Sequence, residues 1–151
     1  MNQAKGKRII AEMVRELNRE GRMKNSRNFI QHGSTSVYKH SVRVAYYSLL
    51  AAEFFHLDAH RKELVRGALL HDYFLYDWHE KNKSHNLHGF RHPFTALRNA
   101  NADYKLTERE QNIILRHMFP LVPIPPVCVE GWIVCMVDKG CSLYETMQGK
   151  M

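Results

Sequence analysis

The chain has 151 residues, 44% hydrophobic and 25% charged, an ordinary globular balance that excludes a disordered or fibrous protein. Lys and Arg number 22 against 15 Asp and Glu, and the resulting formal charge of +7 favours anionic partners. Cys128, Cys135 and Cys141 lack Cys-x-x-Cys spacing and read as reduced thiols of a cytoplasmic protein, and no apolar run is long enough for a signal peptide or a membrane span.

Helical periodicity dominates in chain order, with no convincing strand. Ile9, Ile10, Met13, Val14 and Leu17 form one apolar stripe of a first helix ending near Gly21, and residues 1–28 are expected to pack as an amphipathic segment on a core domain of residues 29–151. The run NFIQHGSTS reads as a loop and N-cap ahead of a long, buried helix, VYKHSVRVAYYSLLAAEFFHL. A third helix, capped by Asp58, is expected to continue to about Tyr76. The polar stretch DWHEKNKSHNLHGFRH is read as a loop that ends at Pro93, in the first turn of a short helix. Thr107-x-x-Glu110 is a capping box before a helix that Pro120 stops, and the last helix is placed over Val127 to Met147. The expected fold is an all-α single-domain bundle of six or seven helices.

Polar residues interrupt the apolar faces. Val37, His40, Val44, Tyr47 and Ala51 fall at steps of three or four, which puts His40 on a buried stripe. Leu64, Ala68, His71 and Leu75 do the same, with Asp72 at the stripe's edge. Ile113 and Ile114 lead to His117, and Gly131, Val134, Cys135 and Asp138 share a face. Taken singly, each histidine is more simply a core or surface residue. Two inward carboxylates, however, each cost on the order of several kcal/mol unless paired, and a cation held by several helices offsets both.

His40, the doublet His71-Asp72 after an apolar run, and Asp138 in MVDKG resemble the His…His-Asp…Asp signature of the HD-domain superfamily, over about residues 32–145. The resemblance implies an all-α core whose first ion is held by His40, His71, Asp72 and Asp138. It also implies a second ion held by His92 and His117, with Asp72 bridging; His88 is a competitor for His92. The six-residue pattern is similar to that of bacterial symmetrical dinucleoside-polyphosphate hydrolases, to HD-GYP phosphodiesterases and to the diiron oxygenase branch that includes myo-inositol oxygenase. Many phosphohydrolase members continue the doublet as Ile-Gly-Lys or Ile-Ala-Lys, whereas Tyr73, Phe74 and Leu75 follow here.

The leading expectation is therefore a metal-dependent phosphohydrolase acting on a phosphoester or phosphoanhydride, with a nucleotide as substrate. His71 and Asp72 lie at its catalytic centre, and one or two transition ions, iron or manganese before zinc, cobalt or nickel, activate a water. Arg66, Arg91, Arg116 and Lys139 are candidates to replace the absent lysine, and His32 is a candidate for the mouth of the site. His56, His60, His79 and His85 read as solvated. A mixed-valence diiron oxygenase and a non-catalytic metal- and nucleotide-binding domain are the alternatives. Neither a membrane nor nucleic acid is implied as partner, and the oligomeric state is left open.

Overall fold

The computed structural model describes residues 2–76 and 88–149, with the side chains of His88 and Gly89 outside the description. Helix α1 spans Gln3–Glu20, starting where the Asn2 side chain accepts from the Lys5 amide, and buries Ile10, Met13, Val14 and Leu17. At its end Gly21 is needed for a close approach, because a Cβ there would lie 2.5 Å from the Tyr104 ring. A 3₁₀ helix, Met23–Asn28, follows.

The expected loop over NFIQHGSTS is instead a short antiparallel hairpin of β1, Ile30–His32, and β2, Thr35–Ser36, turned at Gly33 with φ +57°. Strands of three and two residues are too short to show a period of two, so periodicity gave no sign of them. Gly33 also takes a close backbone contact, since a Cβ there would be 2.9 Å from the Gly149 Cα.

Ser36 caps α2, Val37–Phe54, through the Lys39 amide. The buried face carries His40, Val44 and the small residues Ser41, Ala45, Ser48 and Ala52, which let neighbouring helices approach. Tyr47 is 49% exposed and Ala51 half-buried, so the expected stripe is corrected toward that small-residue face.

Helix α3, Arg61–Leu70, is shorter than the sequence suggested at both ends. Its N-cap is His60, whose amide donates to buried Glu130, and not Asp58. It stops at His71 because the next carbonyls are satisfied from elsewhere: Asn99 Nδ2 donates to Tyr73 O and Phe74 O, and Leu75 turns into the left-handed region at φ 61°. Helix α4, His88–Asp103, begins five residues before Pro93, so His92 lies on a helix and not in a loop. His79 and His85, expected to be solvated, lie outside the described residues.

Helix α5, Glu108–Arg116, has the expected capping box, with Thr107 and Glu110 bonded reciprocally at 3.1 and 3.0 Å. Helix α6 covers Val129–Gly149, two residues later at each end than expected. Leu17, Val44, Leu49, Leu64, Ile113 and Val134 are fully buried between these helices. Among the described residues no helix is long and apolar enough to cross a membrane.

Asp103 ties the N-terminal segment to the end of α3. It accepts from Arg22 Nε at 2.8 Å and from Tyr73 Oη at 2.6 Å, and Tyr73 Oη in turn accepts from the Arg22 amide. Burial works against the charged form, yet Arg22 and Tyr73 hold the Asp103 carboxyl below its usual range. A depressed carboxyl adds stability above that range and loses it on acidification. Asp103→Ala is expected to destabilise the protein by about 1–3 kcal/mol near neutral pH in urea unfolding, with a smaller deficit in acid. Equal stability of the two proteins at pH 7 would contradict this account.

Candidate metal centre

Five elements deliver six side chains to one buried point. His40 lies in the first turn of α2, His71 and Asp72 follow the end of α3, His92 sits on α4, His117 follows α5, and Asp138 is on α6. All six are at most 6% exposed. They form two groups that share Asp72: His40, His71, Asp72 and Asp138, and Asp72, His92 and His117, with the ligand atoms of each group within 4.8 Å of one another.

The Asp72 carboxylate divides its oxygens between the groups. Oδ2 faces His40 Nε2 at 3.4 Å and His71 Nε2 at 3.2 Å, while Oδ1 faces His92 Nε2 at 3.2 Å and His117 Nε2 at 3.3 Å. Asp138 Oδ1 closes the first group, 2.8 Å from His40 Nε2 and 3.2 Å from His71 Nε2.

The other ring nitrogens fix which atom points inward. His71 Nδ1 lies 2.6 Å from Ala68 O and His117 Nδ1 2.8 Å from Ile114 O. A carbonyl only accepts, so both Nδ1 atoms carry a proton, and in the neutral form of either ring it is Nε2 that presents a lone pair inward. The two histidines use the same local device: each sits just past a helix end, where the carbonyl three residues earlier accepts from the ring. His40 Nδ1 donates to Glu145 Oε1 at 2.7 Å, and Glu145 is itself held by Arg43 at 2.6 Å. Histidine metal ligands characteristically donate the second ring nitrogen in this way.

This donor set fits a pair of cations. Four Nε2 atoms and the carboxylate oxygens converge, His92 Nε2 and His117 Nε2 stand 2.8 Å apart, and buried Asp72 Oδ1 has no hydrogen-bond partner among the described residues. Lone pairs and anionic oxygens at such distances repel unless protons or a metal ion lie between them. Imidazole and carboxylate suit first-row transition ions.

In the metal-free protein protons fill that role in the first group. Burial pulls His40 down, but its bonds to Asp138 and Glu145 outweigh this and push it up to about 9. His71 is raised well above its usual range, with burial overcome by Asp72 and Asp138. Burial works to raise Asp72 and Asp138, yet His71 beside both keeps them well below the ordinary carboxylate range. His117 is lowered, chiefly by burial.

The remaining candidates are dispersed. His32 is half-buried with its ring edge-on to His40, centroids 5.6 Å apart. Lys139, partly buried, reaches His117 O at 3.3 Å and Cys135 Sγ at 3.2 Å, beside the second group. Arg91 is exposed next to His92, and Arg116 is partly exposed next to His117. Arg66 is engaged at the other end of α5, donating to Lys105 O and Glu110 Oε1. His56 and His60 are both exposed and lie outside both groups, with His60 serving as the N-cap of α3. The His88 side chain lies outside the described residues.

Two supporting residues escaped the sequence reading. Gln31 on β1 donates to Asp72 Oδ2 at 2.5 Å, and no spacing rule connects a hairpin residue to the doublet. Glu145 lies seven residues after Asp138, on the same face of α6, and that periodicity was the available signal.

The protonated His40 contributes stability that is complete below pH ~6.5 and lost as pH rises through about 9; the two carboxylates contribute stability that is lost in acid. An incoming ion competes with the imidazole protons. Affinity for Mn²⁺ or Zn²⁺ in competition titrations is therefore expected to rise between pH 6.5 and 9, by up to about tenfold per unit for each proton displaced. A flat profile would refute this proton competition.

No curated protein and no solved structure matches the chain. A family model does: HD domain, over residues 37–140, from the first residue of α2 well into α6 and with all six converging side chains inside its bounds. On that match, and on a doublet aspartate standing between two histidine groups, the chain belongs to the HD-domain family.

Proposed function

We propose that the protein is a metal-dependent phosphohydrolase with a dinuclear centre. His40, His71, Asp72 and Asp138 would hold one ion, and Asp72, His92 and His117 the other. The observation that carries the reading is the division of the Asp72 oxygens between two groups of imidazole nitrogens. Ions bound there supply Lewis acidity toward phosphoryl oxygens and a water acidic enough to attack near neutral pH.

The chain's own residues do the rest. Glu145 and the Ala68 and Ile114 carbonyls hold the rings in the tautomer that directs Nε2 inward. Gln31 holds one Asp72 oxygen from the hairpin side. Lys139, Arg91, Arg116 and His32 are the groups proposed to meet phosphate charge. Lys139 has the strongest claim, because its ammonium already lies against the backbone of a second-group histidine. Arg66, committed to the start of α5, has the weakest.

Tyr73 and Phe74 stand where many relatives carry the beginning of the Ile-Gly-Lys continuation. Both are buried, and Phe74 lies edge-on to His92 with centroids 5.8 Å apart. The absence of the lysine of that continuation, with an apolar ring beside His92, favours a second reading as a diiron oxygenase. A nucleotide is the proposed substrate because the +7 charge attracts polyanions. Residues 1–28 are proposed as an addition to a domain of residues 29–151, and the cytoplasm as its compartment.

Activity of Mn- and Fe-loaded protein on a panel of nucleotides and phosphoesters tests the reading. Asp72→Ala is expected to lose the second ion and at least about 10³-fold in turnover, with helix content unchanged. Absence of phosphate release across the panel, together with oxygen consumption by the iron form, would select the oxygenase. Lys139→Ala is expected to lower kcat/KM by about 10²-fold while metal content stays at the wild-type level. Unaltered kinetics in that variant would remove Lys139 from the phosphate-binding role.

A further inference from the structure

Away from the metal centre, the outer face of α6 is apolar and left uncovered by the described residues. Trp132, Met136, Leu143 and Met147 form a ridge and are 40, 62, 64 and 57% exposed. Beside it a groove of about 640 Å³ runs between α6 and the end of α2. Tyr47, Phe54, Phe55 and Tyr144 rim this groove and are 49, 77, 65 and 52% exposed.

Gly140 stands in the middle of this ridge. An interior helix position disfavours glycine, so such a glycine usually marks a close approach. Gly67 and Gly131 meet that rule within the chain: a Cβ at Gly67 would lie 2.5 Å from Ile113, and one at Gly131 2.8 Å from Pro126. A Cβ at Gly140 would meet nothing within 4 Å. Among the described residues nothing fills the space that Gly140 leaves.

The chemistry of the face selects its occupant. The groove's Arg43 is matched by Glu145 at 2.6 Å, leaving no free charge for an acidic partner to recognise. For a chain carrying +7, a surface without net charge is one where two copies meet with least repulsion. Eight side chains of this size, 40 to 77% exposed, present on the order of 800 Å², which is the share each partner contributes to a standard stable interface and more than the largest patch of a typical monomer. Ridge and groove lie side by side, as a two-fold contact requires, so that each copy's ridge fills the other's groove.

We propose that the protein is a two-fold homodimer through the outer face of α6 and the end of α2, with the two α6 helices crossing at Gly140. The contact backs onto the metal centre through Arg43, Glu145 and His40, whose side chains form a continuous chain of hydrogen bonds.

Sedimentation velocity of the full chain, from low to high micromolar concentration, tests the proposal. The wild type is expected to sediment at twice the chain mass and Gly140→Lys at the chain mass. Because a side chain at position 140 meets open space, Gly140→Lys should keep its helix content and an equal or higher Tm. Met136→Glu, at another exposed ridge position, should also give a folded monomer. A wild type that is monomeric throughout, or a dimer that survives both substitutions, would overturn the proposal. So would a monomer that binds phosphatidylcholine vesicles through this face, which would assign it to a lipid surface.

Discussion

One carboxylate sets the conditions for the rest of the structure. Asp72 is 1% exposed, ionised and surrounded by four imidazole nitrogens at 3.2 to 3.4 Å. Burying that charge in an apolar bundle is unfavourable by several kcal/mol unless positive charge accompanies it. The bundle meets this requirement by bringing one or two donors from each of five elements to the same point. Protons neutralise the first group in the metal-free protein, and metal ions are the natural replacement because they satisfy both groups with the imidazoles neutral.

Helix ends do much of the positioning. His71 and His117 each follow the last turn of a helix, and each uses a late carbonyl of that helix to fix its ring. The early termination of α3 therefore serves the site. Had α3 continued to Tyr76, the following residues would be wound into further helical turns; instead Asn99 and Asp103 hold them against α4. The same network reaches α1 through Arg22, which gives the N-terminal segment a structural link to the doublet.

The two faces of α6 divide its tasks. Asp138 and Glu145 point inward, one toward the histidine–aspartate cluster and one to His40 within it, while Trp132, Met136, Leu143 and Met147 point outward. The outer side of α6 is apolar as well as its inner one, and the described residues of the chain leave it largely exposed. Arg43 connects the two sides, since it lines the outer groove and bonds the carboxylate that steadies His40.

By itself the sequence determined the all-α class and the approximate helices, and its resemblance to the HD-domain superfamily picked out the six residues that converge. The class and the helices follow from local rules: helical spacing, the Thr107 capping box, and the improbability of placing charged groups on apolar faces without partners. Sequence periodicity also placed His40 and Asp138 on inward faces correctly. Only the tertiary structure decided the hairpin, the burial of small residues in place of Tyr47, the end of α3 at His71, and the entry of Gln31 and Glu145 into the site. Each of these depends on a contact between residues far apart in the chain, such as Gln31 with Asp72 or Asn99 with Tyr73. Such contacts leave no local period, because the free energy that fixes them comes from neighbours that only the folded chain brings together.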